Sequence, residues 1–350
     1  MEKIGYSHFQ EDKITKSFGL LPNGKEVFCH TLTNKNGVEL SVINYGAAIT
    51  SLKIPTSSGE KIDVVLGFEN LKNYMESYHL PSAPYFGTVV GRYAGRINKG
   101  HFVIGETHFL LNKNHGENHL HGGKKGLSKV LWEVKEIVAD ENPSITLSYL
   151  SQPSDDNYPG ELYIEVKYTL TENNELVVNF TAKSTEDTIV NLTQHSYFNL
   201  DGHSEDIQNQ ELFINSGKIL ETTNENIPTG KFIHLENHEF DFWKPKKCPA
   251  SIDNTFVLDK DNDCKASLFS SKNNLKMSVY TNQPAIHIYV GGNCFNQIKG
   301  KENANYHTQS GICFETQNFP DAPNHSHFPN AVLKKEETYT HNTTFIFEIL

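Results

Sequence analysis

Cysteine is scarce, and what there is does not pair up. The 350-residue chain holds five, Cys29, Cys248, Cys264, Cys294 and Cys313, widely spread and without a CxxC spacing. An odd, scattered set argues against a disulfide framework or a thiolate-held metal. Long apolar runs are missing too: nothing approaches the ~20 uninterrupted apolar residues of a membrane-spanning helix. The opening residues, Met1 to His8, lack the apolar stretch of an export signal. Together these absences predict a soluble protein of the reducing cytoplasm. Positive charge is also short, with 31 Lys and Arg against 42 Asp and Glu, a net charge of −11. That balance disfavours nucleic-acid and anionic-membrane partners, which need a basic face.

Helical signals are few. Asn70–Tyr78 alone reads as a short helix, with Leu71, Tyr74 and Met75 on one side. Strand signals dominate instead. Leu162, Ile164, Val166, Tyr168 and Leu170 alternate with Tyr163, Glu165, Lys167 and Thr169, the period of a half-buried strand. A Thr171-Glu-Asn-Asn174 turn follows, and then Leu176, Val178 and Phe180 alternate again, which predicts a hairpin. Segments 144–150, 211–215, 276–280, 286–290 and 343–349 read the same way. With 21 Phe and 15 Tyr to fill a core and no low-complexity linker, residues 1–350 are expected to form one domain. The expected fold is all-β, a large, mostly antiparallel sandwich with few short helices.

Five polar segments interrupt the packing residues. Asn191-Leu-Thr-Gln-His195-Ser-Tyr-Phe-Asn-Leu200 sets a histidine among amides, hydroxyls and aromatics with no charge in ten positions. Gly311-Ile-Cys-Phe-Glu315-Thr-Gln-Asn-Phe-Pro320 does the same for a glutamate, whose burial without a partner would be costly. Histidine titrates near neutrality, so the two runs suggest proton shuttling on a small, uncharged, hydroxyl-rich molecule. Gly91-Arg-Tyr-Ala-Gly95-Arg96 offers two planar forks, suited either to sugar hydroxyls or to surface ion pairs. His119 and His121 would face the same way in an extended chain, as would His325 and His327. Such pairs lack third and fourth metal ligands, and no metal site is predicted. Asp253, ahead of a Phe-Val-Leu strand, reads alone as a turn or cap residue.

In order along the chain, these segments resemble the aldose 1-epimerase (galactose mutarotase) family. The resemblance extends over nearly the whole sequence. It runs through Asn44-Tyr-Gly-Ala47, Asp63-Val-Val-Leu-Gly67, Tyr85-Phe-Gly87, Gly91–Ile97, Leu120-His-Gly-Gly123, Val130-Leu-Trp132, Asn191–Leu200, Gln283-Pro284 and Glu315–Ala322. It implies a galactose mutarotase-like supersandwich with an open sugar cleft, and cofactor-free interconversion of α and β anomers of free aldoses such as galactose and glucose. It further implies Glu315 as general base on the anomeric hydroxyl and His195 as general acid on the ring oxygen, placed on opposite sides of the sugar. His121, Arg96, Asp253, Gln283 and Tyr197 are implied as substrate-orienting groups.

Three departures stand out: Gly95 where many relatives carry Asn, Asn254 where they often carry His, and Lys335-Glu336 where a Pro-Gly turn is common. Two other readings remain open at this point. A hexose-6-phosphate epimerase would want a further basic cluster for the phosphate. A noncatalytic carbohydrate-binding sandwich would tolerate loss of His195 or Glu315. A glycosidase would ordinarily need two carboxylates where the chain offers one Glu and one His. The sequence specifies no oligomeric state.

Overall fold

Alternation of buried and exposed side chains sets the architecture. The computed structural model describes residues 14–261, 263–292, 294 and 296–350. In it Leu162–Leu170 and Glu175–Ser184 form the expected hairpin, and Leu162, Ile164, Val166, Tyr168 and Leu170 are fully buried. Burying each such aliphatic side chain stabilises by about 1.5–3 kcal/mol, which fixes the hairpin's inward face. The hairpin lies within a nine-stranded sheet that also contains Ser144–Ser151, Leu275–Thr281 and Thr338–Ile349. The last of these begins five residues earlier than alternation alone predicts. Its first part, Thr338–Asn342, is polar but pairs with Lys183–Asn179 all the same.

A five-stranded sheet of consecutive hairpins takes in Thr15–Leu20, Glu26–Thr33, Glu39–Ile43, Ala48–Pro55 and Lys61–Asp63. A six-stranded sheet runs in the order Tyr197–Phe198, Ile312–Gln317, Ala285–Val290, Ile252–Val257, Lys218–Thr222, Pro228–His234. Pairing within all three sheets is antiparallel. Leu40 and Leu52, Val166 and Met277, and Ile288 and Phe314 bring all three into one apolar cluster. The helix Leu71–Ser77 forms where expected, with Asn70 as its cap: the Asn70 side chain accepts from the Asn73 N–H. All five cysteines are free thiols, and no helix is long and apolar enough to cross a membrane among the described residues.

A buried ion pair ties the turn at Lys301 to the five-stranded sheet near the site. Lys301 Nζ donates to Asp63 Oδ2 at 2.7 Å and to the Thr50 carbonyl at 2.6 Å. Burial opposes ionisation of Asp63, but the Lys301 charge and His203 outweigh it and hold the carboxyl well below its usual range. Two residues on, Val65 bridges Phe198, and the Leu66 N–H donates to the Tyr197 carbonyl, so the clasp steadies the His195 run. Asp63→Asn leaves Lys301 buried without its counter-charge and is expected to cost about 3–5 kcal/mol in urea unfolding. Because the folded-state pKa is depressed, the contribution is full above the unfolded value of about 3.9 and is lost as pH falls below it. The gap between Asp63→Asn and wild type should therefore narrow in acid.

Candidate active site

The six-stranded sheet has two unlike faces, and strand register assigns each residue to one of them. Ile252, Phe256, Ile286, Ile288, Ile312 and Phe314 point into the apolar cluster. Thr316 shares that face, bonding His341 and Thr343 of the nine-stranded sheet. The alternate positions point the other way. His287 lies opposite Glu315 on one side and Thr255 on the other, while Tyr289 lies opposite Cys313 and Asp253. Together with Tyr197, Gln317, Arg96, His121 and His195, the side chains of His287, Glu315, Thr255, Tyr289 and Asp253 line a cleft of about 490 Å³. A cavity of that size suits a small molecule.

His195 is held at both ends of its backbone. Its N–H donates to the Thr88 carbonyl, and its own carbonyl accepts from the Gly87 N–H, each at 2.9 Å. The amides around it act as staples. Gln194 Nε2 donates to the Gly87 carbonyl at 2.8 Å, and Asn191 links the Ala94 carbonyl to the Asn318 N–H. The imidazole sits among the rings of Tyr197, His121 and Tyr85, with centroids 5.4, 5.5 and 5.9 Å away. Its Nε2 lies 3.4 Å from Glu315 Oε1, and its Nδ1 3.7 Å from Cys313 Sγ. Acid and base candidates are thus neighbours on one wall of the cleft, rather than facing each other across a sugar. Adjacency suits the chemistry, because the anomeric and ring oxygens of a pyranose are both bonded to C1.

Three buried polar atoms on residues that line the cleft have no partner: Glu315 Oε2, Gln317 Oε1 and Arg96 Nε. Buried polar groups are nearly always hydrogen-bonded, so an orphaned set lining one cavity points to a hydroxyl-bearing ligand. Arg96 reaches the cleft because its strand, Arg96–Ile97, pairs with His119–Leu120. His121 follows in the left-handed region, with φ 51°. Gly122, the next residue, must lack a side chain, since a Cβ there would stand 1.7 Å from the Gly91 carbonyl oxygen. Burial, with the nearby charges of His195, Arg96, His287 and His115, keeps His121 well below the ordinary histidine range and hence neutral near pH 7. Its Nδ1 accepts from the Gly95 N–H at 3.2 Å, which puts the ring proton on Nε2. His121 is therefore a neutral donor, not a cation.

Asp253 is gripped on both oxygens, by His287 Nε2 at 2.9 Å and Asn226 Nδ2 at 2.7 Å. Burial resists its ionisation, but His287 prevails and its carboxyl stays below the usual range. Tyr197 lines the floor beside His195.

Several residues go elsewhere. Gln283 is absent from the cleft: its amide donates to Asn282 Oδ1, and it lines a separate depression with Tyr280, Asn330 and Tyr339. It precedes the strand Ala285–Val290, and the position facing Glu315 belongs to His287. Arg92 is buried, its guanidinium bonded to the carbonyls of Ser151, Gln152, Pro159 and Gly160. It makes neither a sugar contact nor a surface ion pair. His119 turns away from His121 to the Asn112 carbonyl and the Tyr158 hydroxyl. His325 sits against Asp321 and His327 against the Gly230 carbonyl. Asn254 pairs with Ile288 and so shares the face turned from the cleft. Gly95 adopts φ +76°, and a Cβ there would meet Pro320 at 2.9 Å. Glu336 takes φ 68° in the surface turn.

His287 and Gln317 were not singled out in the sequence. For Gln317 the signal was present, since it lies two residues from Glu315 and so on the same face of the strand. The cluster His121, His195 and Glu315, with ligand atoms within 4.8 Å of one another, also has the spacing of a metal site. The Nε2 proton that Gly95 imposes on His121 fits a hydrogen-bond donor better than a metal ligand.

Comparison with known proteins matches residues 29–345 to the family described as aldose 1-epimerase. A galactose mutarotase from Sus scrofa is 38% identical over 348 residues, covering 96% of this chain and 99% of its own. One from Bos taurus is 37% identical over 343 residues, covering 95% and 97%. Among solved structures, a GalM/aldose epimerase homologue from C. elegans superposes with a TM-score of 0.84 at 27% identity, covering 92% of this chain and 99% of that one.

Proposed function

The chain belongs to the aldose 1-epimerase family, and from that premise we propose that Glu315 and His195 are the base and acid of its reaction. The protein is an isomerase that interconverts the α and β anomers of aldoses. Glu315 takes the proton from the anomeric hydroxyl as the C1–O5 bond breaks, and the His195 imidazolium delivers one to the ring oxygen. The open-chain aldehyde turns about C1–C2. On reclosure the O5 hydroxyl adds to the other face of the carbonyl, His195 recovers its proton, and protonated Glu315 returns one to O1. No proton or electron is gained or lost over the cycle. Each positioned transfer is worth about 10²–10⁴-fold.

The observation that carries this reading is the buried Glu315–His195 pair, 3.4 Å apart, with Glu315 Oε2 left without a partner at the edge of a sugar-sized cleft. His121 Nε2–H and Arg96 supply donors for oxygens that become more negative as the ring opens. Asp253 and Gln317 supply acceptors for sugar hydroxyls, and Tyr197 an apolar floor. Arg92, spent on four carbonyls, offers nothing to a phosphate. Galactose is the substrate to try first, because the mammalian relatives are galactose mutarotases. Freshly dissolved α-galactose should lose its excess optical rotation faster with catalytic amounts of protein than without. Tight sugar binding with no acceleration would instead indicate a binding module.

A further inference from the structure

His287 is one of four histidines lining the cleft, with His115, His121 and His195, and its contacts are specific. Nε2 donates to Asp253 Oδ1 at 2.9 Å, and Nδ1 meets Thr255 Oγ1 at 2.8 Å. Both ring nitrogens are thereby engaged by the neighbouring strand. On its other side lies the strand that carries Glu315, directly opposite in register. The charged groups around it are Asp253 and Glu315, which favour its cation, and Arg96, which opposes it. His121 also borders it and is neutral. Burial works against the imidazolium, yet the bond to Asp253 and the two carboxylates raise its proton affinity above the ordinary histidine value.

We propose that His287 is a positioning residue for the reaction: clamped by Thr255, it orients Asp253 to accept sugar hydroxyls. The inference rests on the epimerase reading and goes beyond it by assigning His287 an effect on sugar binding that is separable from the proton transfers. The bond to Asp253 concerns sugar binding and belongs in KM.

Polarimetry with α-galactose over a range of sugar concentrations tests this. His287→Ala is expected to raise KM about 10–100-fold, the effect of losing a hydrogen bond to a charged group, while kcat changes less than about threefold. His287→Gln, whose amide reaches the place of Nε2, should bring KM back to within about threefold of wild type. A general loosening of the fold would not yield a raised KM that one amide restores while kcat holds. An unchanged KM in His287→Ala, or a KM in His287→Gln as high as in His287→Ala, overturns the proposal. If wild-type protein itself fails to accelerate mutarotation, the reaction reading falls and takes this inference with it. Normal wild-type rates beside an unaffected His287→Ala refute the role of His287 alone.

Discussion

Glu315→Gln should lower kcat for mutarotation by about 10³–10⁴-fold, the upper range for loss of a positioned general base. In free energy that is about 4–5.5 kcal/mol of transition-state stabilisation. The amide keeps the shape of the carboxylate, so KM should stay within about threefold of wild type. Stability should hold or rise. Glu315 is 2% exposed and its Oε2 has no partner, so wild-type protein buries a carboxylate that is not fully satisfied. Removing that charge relieves a cost accepted for function. Polarimetry with urea unfolding on the same sample checks both halves. A variant within tenfold of the wild-type rate would contradict the assignment.

His195→Asn should lower kcat by about 10²–10⁴-fold, because an amide cannot deliver a proton to the ring oxygen. Here some stability should also go, since the imidazole packs against three aromatic rings. Such contacts are worth about 0.5–1.5 kcal/mol each beyond burial. The double variant is more telling than either single one. If Glu315 and His195 act in one concerted ring opening, losing both should cost little more than the worse single loss. Multiplicative losses would mean that the two residues serve separate steps.

Much of this was legible in the sequence, for a physical reason. Side-chain alternation in Leu162–Leu170 reports burial directly, and Leu71, Tyr74 and Met75 on one side announce the helix Leu71–Ser77. His195 and Glu315 stood out because ionisable groups amid uncharged neighbours require a purpose. What stayed hidden depends on how strands meet. Gln283 and His287 are four residues apart, and only the pairing of Ala285–Val290 with Ile312–Gln317 decides which of them faces Glu315. His119 and His121 share a face in an extended chain, but the left-handed turn at His121 parts them. Arg92 and Arg96 look equivalent along the sequence. In the fold, loop carbonyls at 151–160 claim the first, and the cleft receives the second.

A crystal structure of Glu315→Gln with galactose bound is the most direct test, because the variant should hold the sugar without turning it over. One pyranose should occupy the cleft with its anomeric oxygen within hydrogen-bonding distance of residue 315 and its ring oxygen within that distance of His195. A sugar seated in the depression beside Gln283, or lying with C1 toward Asp253 and away from His195, would contradict the account.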